Sequence, residues 1–220
     1  MFKKNLLTSV ASFLTIASIV IGASIVHIEL AFAAALTTLS DTQSSVKIST
    51  LSDHTIQFVT PTGVTAGQAI TVTFPSGYAT GTFAVANFDL ATSTSATCSG
   101  FTDAVLVSGA PSALSWGVTQ ATATVYITSG TAVIPANRCI QIQIGANATS
   151  GATGVSQITN PATPGSYAIT INAGVDNGTI TQNIITDDTV SVSATVQQSL
   201  TFTISTSTIY FGTLGSAAPK

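Results

Sequence analysis

Charge is nearly absent from this chain. Acidic and basic residues make up 6% of its 220 positions, and glutamate, methionine and tryptophan occur once each, histidine and cysteine twice. Each shortage excludes a class of function. The bases are Lys3, Lys4, Lys47, Arg138 and Lys220, too few and too scattered for a nucleic-acid footprint or for adsorption to an anionic membrane. The only glutamate is Glu29, so the two-carboxylate chemistry of glycoside hydrolysis would have to use aspartates, and no pair of them has a neighbourhood suited to it. A Ser-His-Asp or Cys-His arrangement would need His54, which follows Asp53 in what reads as an exposed turn. No cofactor motif occurs, and no helical period is found beyond the N-terminus.

The N-terminus itself is distinctive. Lys3 and Lys4 precede an apolar run over 6–26, and Ala31-Phe32-Ala33 follows. A positive end, an apolar middle and a small-x-small exit predict a secretory signal helix over 1–33, cut after Ala33 with Ala31 and Ala33 as the recognition positions. The run is about the ~20 residues that span a bilayer, so an uncleaved anchor is the competing expectation and the only predicted route to a membrane. A pilin-type leader fits less well, because Glu29 lies beyond the run. Removing 1–33 leaves three bases against seven aspartates, a net charge of −4. Solubility then rests on Thr, Ser, Asn and Gln, which hydrate an outward sheet face without charge.

The remaining sequence alternates with period two. Over 54–77, Ile56 and Phe58, then Ile70, Val72 and Phe74, face one way, with Pro61, Gly63 and Gly67 between them, which predicts two strands of one layer and a turn. Val46 and Ile48 are expected to open the first strand, and Phe83, Val85 and Phe88 to mark another extended segment. Ala104–Val107 forms a short apolar run; Trp116, Val118, Val125 and Ile127 follow. Ile140, Ile142 and Ile144 alternate with Gln141 and Gln143. Residues 145–165 read as a long surface loop, 166–186 as a hairpin turning at Asp176-Asn177-Gly178, and 190–196 as a closing strand. The expected fold is all-β: an immunoglobulin-like antiparallel β-sandwich over 36–196 after the signal helix. Residues 197–220 do not fit that count. They complete the sandwich, extend towards another subunit as a donated strand, or open a second β unit, which is the favoured expectation.

Cys98 and Cys139 read as a structural disulfide of an exported chain. Cys139 shares the face of Gln141 and Gln143, so the bridge is expected to clip the Ser/Thr-rich loop to the outside of the sandwich. Asp187-Asp188 and Asp176-Asn177-Gly178 could offer oxygens to calcium, but turn chemistry explains them without it and no metal is expected. Asn147 and Asn177 match the N-glycosylation pattern, and Lys47 is the lone lysine available for a Lys-Asn crosslink. Trp116, Tyr78 and Tyr126 are the aromatics that could stack on a sugar.

The stretch Val64-Thr-Ala-Gly-Gln-Ala-Ile-Thr-Val-Thr-Phe-Pro-Ser-Gly and the closing Asp188-Thr-Val-Ser-Val-Ser-Ala-Thr-Val resemble the strand motifs of secreted bacterial immunoglobulin-like surface proteins, in which Thr-rich sandwiches are strung in series. The resemblance covers these two segments of the chain. It implies a secreted, cell-surface module with a structural or adhesive role and no active site. The expected partners are envelope components or further copies of the chain. A carbohydrate-binding module and a filament subunit assembling by strand donation are the alternatives.

Overall fold

The computed structural model describes residues 33–187 together with Thr203, Ser205 and Thr208. The expected signal helix over 1–33, apart from its last residue, the expected strand at 190–196, and the expected unit at 197–220, apart from those three residues, lie outside the described residues. The chain divides into two compact units, Met1–Asp188 and Thr189–Lys220. The described strands and core belong to the first.

Among the described residues thirteen strands run in chain order: β1 (Thr37–Gln43), β2 (Leu51–Ser52), β3 (His54–Thr60), β4 (Ala69–Thr73), β5 (Phe88–Thr92), β6 (Thr102–Asp103), β7 (Leu106–Ser108), β8 (Trp116–Ala121), β9 (Thr124–Ser129), β10 (Arg138–Ile144), β11 (Ile158–Thr159), β12 (Gly165–Ala173) and β13 (Asp176–Ile184). One sheet has the order β1-β3-β10-β5-β6, the other β13-β12-β4-β9-β8-β7, and β2 pairs with β11. All pairings within sheets are antiparallel except β7 with β8. The fold is the all-β sandwich that the alternation predicts. Ile56, Phe58, Ile140, Ile142, Ile144 and Leu90 of the first sheet meet Ile70, Val72, Phe74, Ile127, Ile169 and Ile171 of the second, all buried in one core. Each such side chain contributes about 1.5–3 kcal/mol by leaving water, which is the main force joining the layers.

Several expectations are corrected. Strands β3 and β4 are not partners in one layer but lie in opposite sheets. The loop between them carries the chain across the sandwich, and Gly63 makes its corner at φ +85°. There Val64 and Ile134 exchange backbone hydrogen bonds at 2.8 Å. A Cβ on Gly63 would press on the Ile134 carbonyl oxygen and lie 2.8 Å from the Ala136 nitrogen. Gly63→Ala is therefore expected to cost roughly 2–3 kcal/mol in urea unfolding, from left-handed backbone strain plus overpacking.

The first strand is Thr37–Gln43, not 46–48. Its polar sequence shows little period because it is an edge strand with a register shift between Thr37 and Ser40; the 46–48 segment contributes an isolated bridge, Lys47 with Ile185, rather than a strand. Val85–Asn87 forms a 3₁₀ turn ahead of β5. The hairpin of β12 and β13 exists, but it turns at Gly174-Val175, with Ala173 opposite Asp176. Gly174 has φ +62°, the Gly-first pattern of a two-residue hairpin. Asp176 is instead the first residue of β13 and is fully buried. Residues 145–165 form no free surface loop: Ala148, Ile158 and Asn160 are buried, and Ile158–Thr159 pairs with Leu51–Ser52.

The sheet edges are short or bridged. The first and second sheets meet along β1 and β13 through Ala35 with Asn177 and Lys47 with Ile185. At the other seam β6 and β7 have two and three residues.

Candidate functional site

Antiparallel register places Cys139 opposite Val59 on the outer side of the first sheet, while Ile140, Ile142 and Ile144 point into the core. Cys98 and Cys139 are joined, with Cα atoms 5.2 Å apart. The Ser93 N–H donates to the Cys139 carbonyl and the Cys139 N–H to the Ser95 carbonyl. The Ser93 hydroxyl reaches the carbonyls of Thr97 and Ser99. The loop is thus strapped flat over β10, and Cys139 is fully buried beneath it.

His54 is not an exposed turn residue. It continues the inward row of Ile56 and Phe58, has no exposure, and its Nδ1 lies 2.8 Å from Asp41 Oδ2, whose side chain is also fully buried. The ring packs edge-on to Phe74 at 5.1 Å and to Tyr78 at 6.0 Å. Gln43 Nε2 donates to the Tyr78 hydroxyl at 3.3 Å. Burial raises the Tyr78 pKa, the Gln43 hydrogen bond lowers it, and the Asp41 charge raises it further, for a net upward shift. The Asp-His pair has the form of two members of a hydrolytic triad. Its hydrogen-bond partners among the described residues are carboxylate and amide groups, however, and the ring is closed off from solvent.

Trp116 and Tyr78 are core residues, 3% and 7% exposed, and only Tyr126 faces water, from the outer side of the second sheet. The three aromatics therefore do not form one platform. Trp116 lies opposite Ser129, in register with the inward row of Val125 and Ile127. Asn147 spends its amide nitrogen on the His54 carbonyl and the Thr55 hydroxyl; Asn177 is exposed on β13. Lys47 lies 3.7 Å from Asp187 on the surface, not beside a buried acid. Asp176 has its oxygens occupied by the hydroxyls of Thr60 and Thr62 and the N–H groups of Thr62 and Ala34, which leaves little for a calcium ion.

A cleft of about 350 Å³ opens at the edge of the first sheet. Val85, Phe88, Ala104, Val105 and Leu106 form apolar walls, and Asp89 and Asp103 supply carboxylates. Register brings the two acids together: Asp103 lies opposite Ala91, the residue two along from Asp89 on the same face. Asp89 is 4% exposed. Its Oδ2 accepts the N–H groups of Thr149 at 2.6 Å and Ser150 at 2.8 Å, fixing the start of the 145–165 segment. Asn87 does the same for Val155 and Ser156. Burial pushes the Asp89 pKa up, the Ser150 and Thr149 hydrogen bonds pull it down, and the Asp103 charge pushes it up again; the net shift is upward. Sequence reasoning missed this site, because Asp89 lies in a buried apolar strand and its partners come from a segment some sixty residues later.

The described unit is a disulfide-clipped antiparallel β-sandwich with one carboxylate-lined cleft and one buried Asp-His pair. Its comparisons with known proteins are sparse. No protein family matches the chain, and no curated protein matches it. Among solved structures it is similar to BslA, a bacterial hydrophobin, at 14% identity and a TM-score of 0.38, covering 67% of this chain and 94% of that one. Neither fold nor function follows from a likeness of that degree.

Proposed function

We propose that this chain is a non-catalytic structural module of the extracellular cell surface, exported through its N-terminal leader and working alongside envelope components or further copies of itself. The Cys98–Cys139 bridge carries the reading: it straps a loop onto a sheet face, and such bridges persist in oxidising compartments, whereas cytosolic thiols are held reduced. Surface chemistry agrees with it. The six strands of the second sheet contain a single charged residue, Asp176, and it is buried. The one described histidine is enclosed in the core, which removes the usual base for hydrolysis. The glycan-binding alternative is weakened by the burial of Trp116 and Tyr78. Strand donation onto this unit is weakened by edges that are short or already bridged.

Mass spectrometry of the protein from its native host tests the proposal. The expected product begins at Ala34, carries both cysteines oxidised, and is released or degraded when intact cells are treated with protease. Recovery from the cytoplasm with the leader uncut and both thiols free would sink it.

A further inference from the structure

We infer that the α-ammonium group created by cutting the leader between Ala33 and Ala34 is the counter-ion of buried Asp176, so that removal of the leader completes the fold. The cut itself rests on the export reading above; the geometry at Asp176 supplies the rest. Asp176 is fully buried at the start of β13 and accepts four hydrogen bonds, all from neutral groups: the hydroxyls of Thr60 and Thr62 and the N–H groups of Thr62 and Ala34. The ion pairs among the described residues join Lys47 to Asp187 and His54 to Asp41, and neither involves Asp176. Taking a carboxylate out of water is costly. Neutral donors offset part of that cost, and an ionised donor offsets more, because charge-assisted hydrogen bonds are about twice as strong. Of the four donors, the Ala34 nitrogen is the one that proteolysis can ionise. It stands 3.1 Å from Asp176 Oδ1.

The step is a hydrolysis. At a host leader peptidase, water adds across the Ala33–Ala34 peptide bond. Ala33 leaves as a carboxylate, and both hydrogens of the water end on the Ala34 nitrogen, which is an ammonium at neutral pH. One of its N–H groups stays on Asp176 Oδ1, now with a positive charge behind it. The chain on either side of the bond differs. Ala33 is exposed, whereas Ala34 is half-buried and pinned to β13, its carbonyl accepting the Asn177 N–H at 3.1 Å. The Leu36 N–H donates to the Asn177 carbonyl at 2.8 Å, and Ala35 bridges the same residue. The sequence offers two small-x-small exits, Ala31-Phe32-Ala33 and Ala33-Ala34-Ala35. A cut at the second would remove Ala34 with its contacts to Asp176 and Asn177, so the first is the cut that preserves them. Of the elements packed there, β13 carries Asp176 as its single charge, the corner at 60–63 carries none, and Arg138 of β10 stands opposite Thr60. Asp41 and His54 lie further along β1 and β3.

Two forms of the processed chain test this, each released in vitro from a cleavable fusion that replaces residues 1–33. One begins at Ala34, the other at a single glycine added before it. The added glycine keeps the Ala34 N–H as an amide and moves the ammonium one residue away. In urea at pH 7 the chain beginning at Ala34 should have an unfolding constant about tenfold smaller. Its α-amine, followed by the NMR shift of the Ala34 methyl group, should titrate higher folded than unfolded, above the ordinary range of about 7.7–8.0, because the carboxylate favours the ammonium. In the Asp176→Asn background the added glycine should change nothing. Equal stability of the two chains overturns the inference, as does a folded α-amine midpoint no higher than the unfolded one, or a tenfold difference that survives Asp176→Asn. Sequencing the N-terminus of the protein from its host separates this inference from the export reading. An exported product that starts at another residue overturns the inference and leaves export standing. Failure of the two chains in vitro likewise sinks the inference alone, whereas an uncut chain in the cytoplasm sinks both.

Discussion

Asp176→Ala is expected to lower the unfolding free energy by roughly 4 kcal/mol at pH 7. The carboxylate is fully buried and accepts four hydrogen bonds. They come from the Thr60 hydroxyl at 2.6 Å, the Thr62 hydroxyl at 2.8 Å, the Thr62 N–H at 2.9 Å and the Ala34 N–H at 3.1 Å. Its partners come from two places distant in sequence, the end of β3 and the chain just before β1, so one side chain ties β13 to both. Truncation leaves the Thr60 hydroxyl and two N–H groups without their acceptor in an enclosed space, and each such loss costs about 1–3 kcal/mol. Urea unfolding of wild type and variant measures the difference; a change below about 1 kcal/mol would mean that water replaces the carboxylate without penalty.

The same carboxylate sets a pH dependence. Burial raises its pKa, but the hydrogen bonds from Thr60, Thr62 and Ala34 outweigh it, and the folded value lies below the ordinary 3.8. A group of this sign contributes stability above its unfolded pKa and loses it as pH falls through the folded pKa, so the contribution fades below about pH 4. Asp89 has the opposite sign: its folded pKa is raised, so its ionisation opposes folding as pH rises through that value. Acid titration of wild type should therefore show a steep loss at low pH that is much reduced in Asp176→Ala.

These two aspartates also show where the sequence is legible and where it is not. Alternation is a local property, and it places Ile140, Ile142, Ile144 and Trp116 inside and Cys139 outside, because residues two apart on a strand share a face. The same rule carried one step further, from Phe58 and Ile56 to His54, puts the histidine in the core; the neighbouring Asp53 makes the pair look like a turn instead. Asp-Asn-Gly at 176–178 is a strong turn signal by composition. It loses to a long-range demand, since Thr60 and Thr62 need an acceptor in the place Asp176 occupies. Nothing local to 145–165 announces that Asn87 and Asp89 will hold its backbone. The cleft is invisible for the same reason: it exists only once β6 lies beside β5 and that segment folds back over them.

Reducing the Cys98–Cys139 bridge is the second large perturbation, expected to cost about 4 kcal/mol. The bonded residues are 41 apart in sequence, and a loop of that size removes about this much chain entropy from the unfolded state. Against a total stability of about 5–15 kcal/mol for a domain, the loss is substantial. Reduction also lets the unfolded chain expand, so the urea m-value should rise as the midpoint falls. A Cys98→Ser, Cys139→Ser double variant should match the reduced protein and ignore reductant. Position decides how the loss appears. The Ser93–Cys139 and Cys139–Ser95 backbone bonds still hold the loop after reduction, so cleavage within 93–99 by a low dose of protease should follow global unfolding and share its urea midpoint. If that cleavage instead appears in reduced protein that remains fully folded, the bridge acts locally, as a guard on one loop of an exposed surface rather than as a brace of the sandwich.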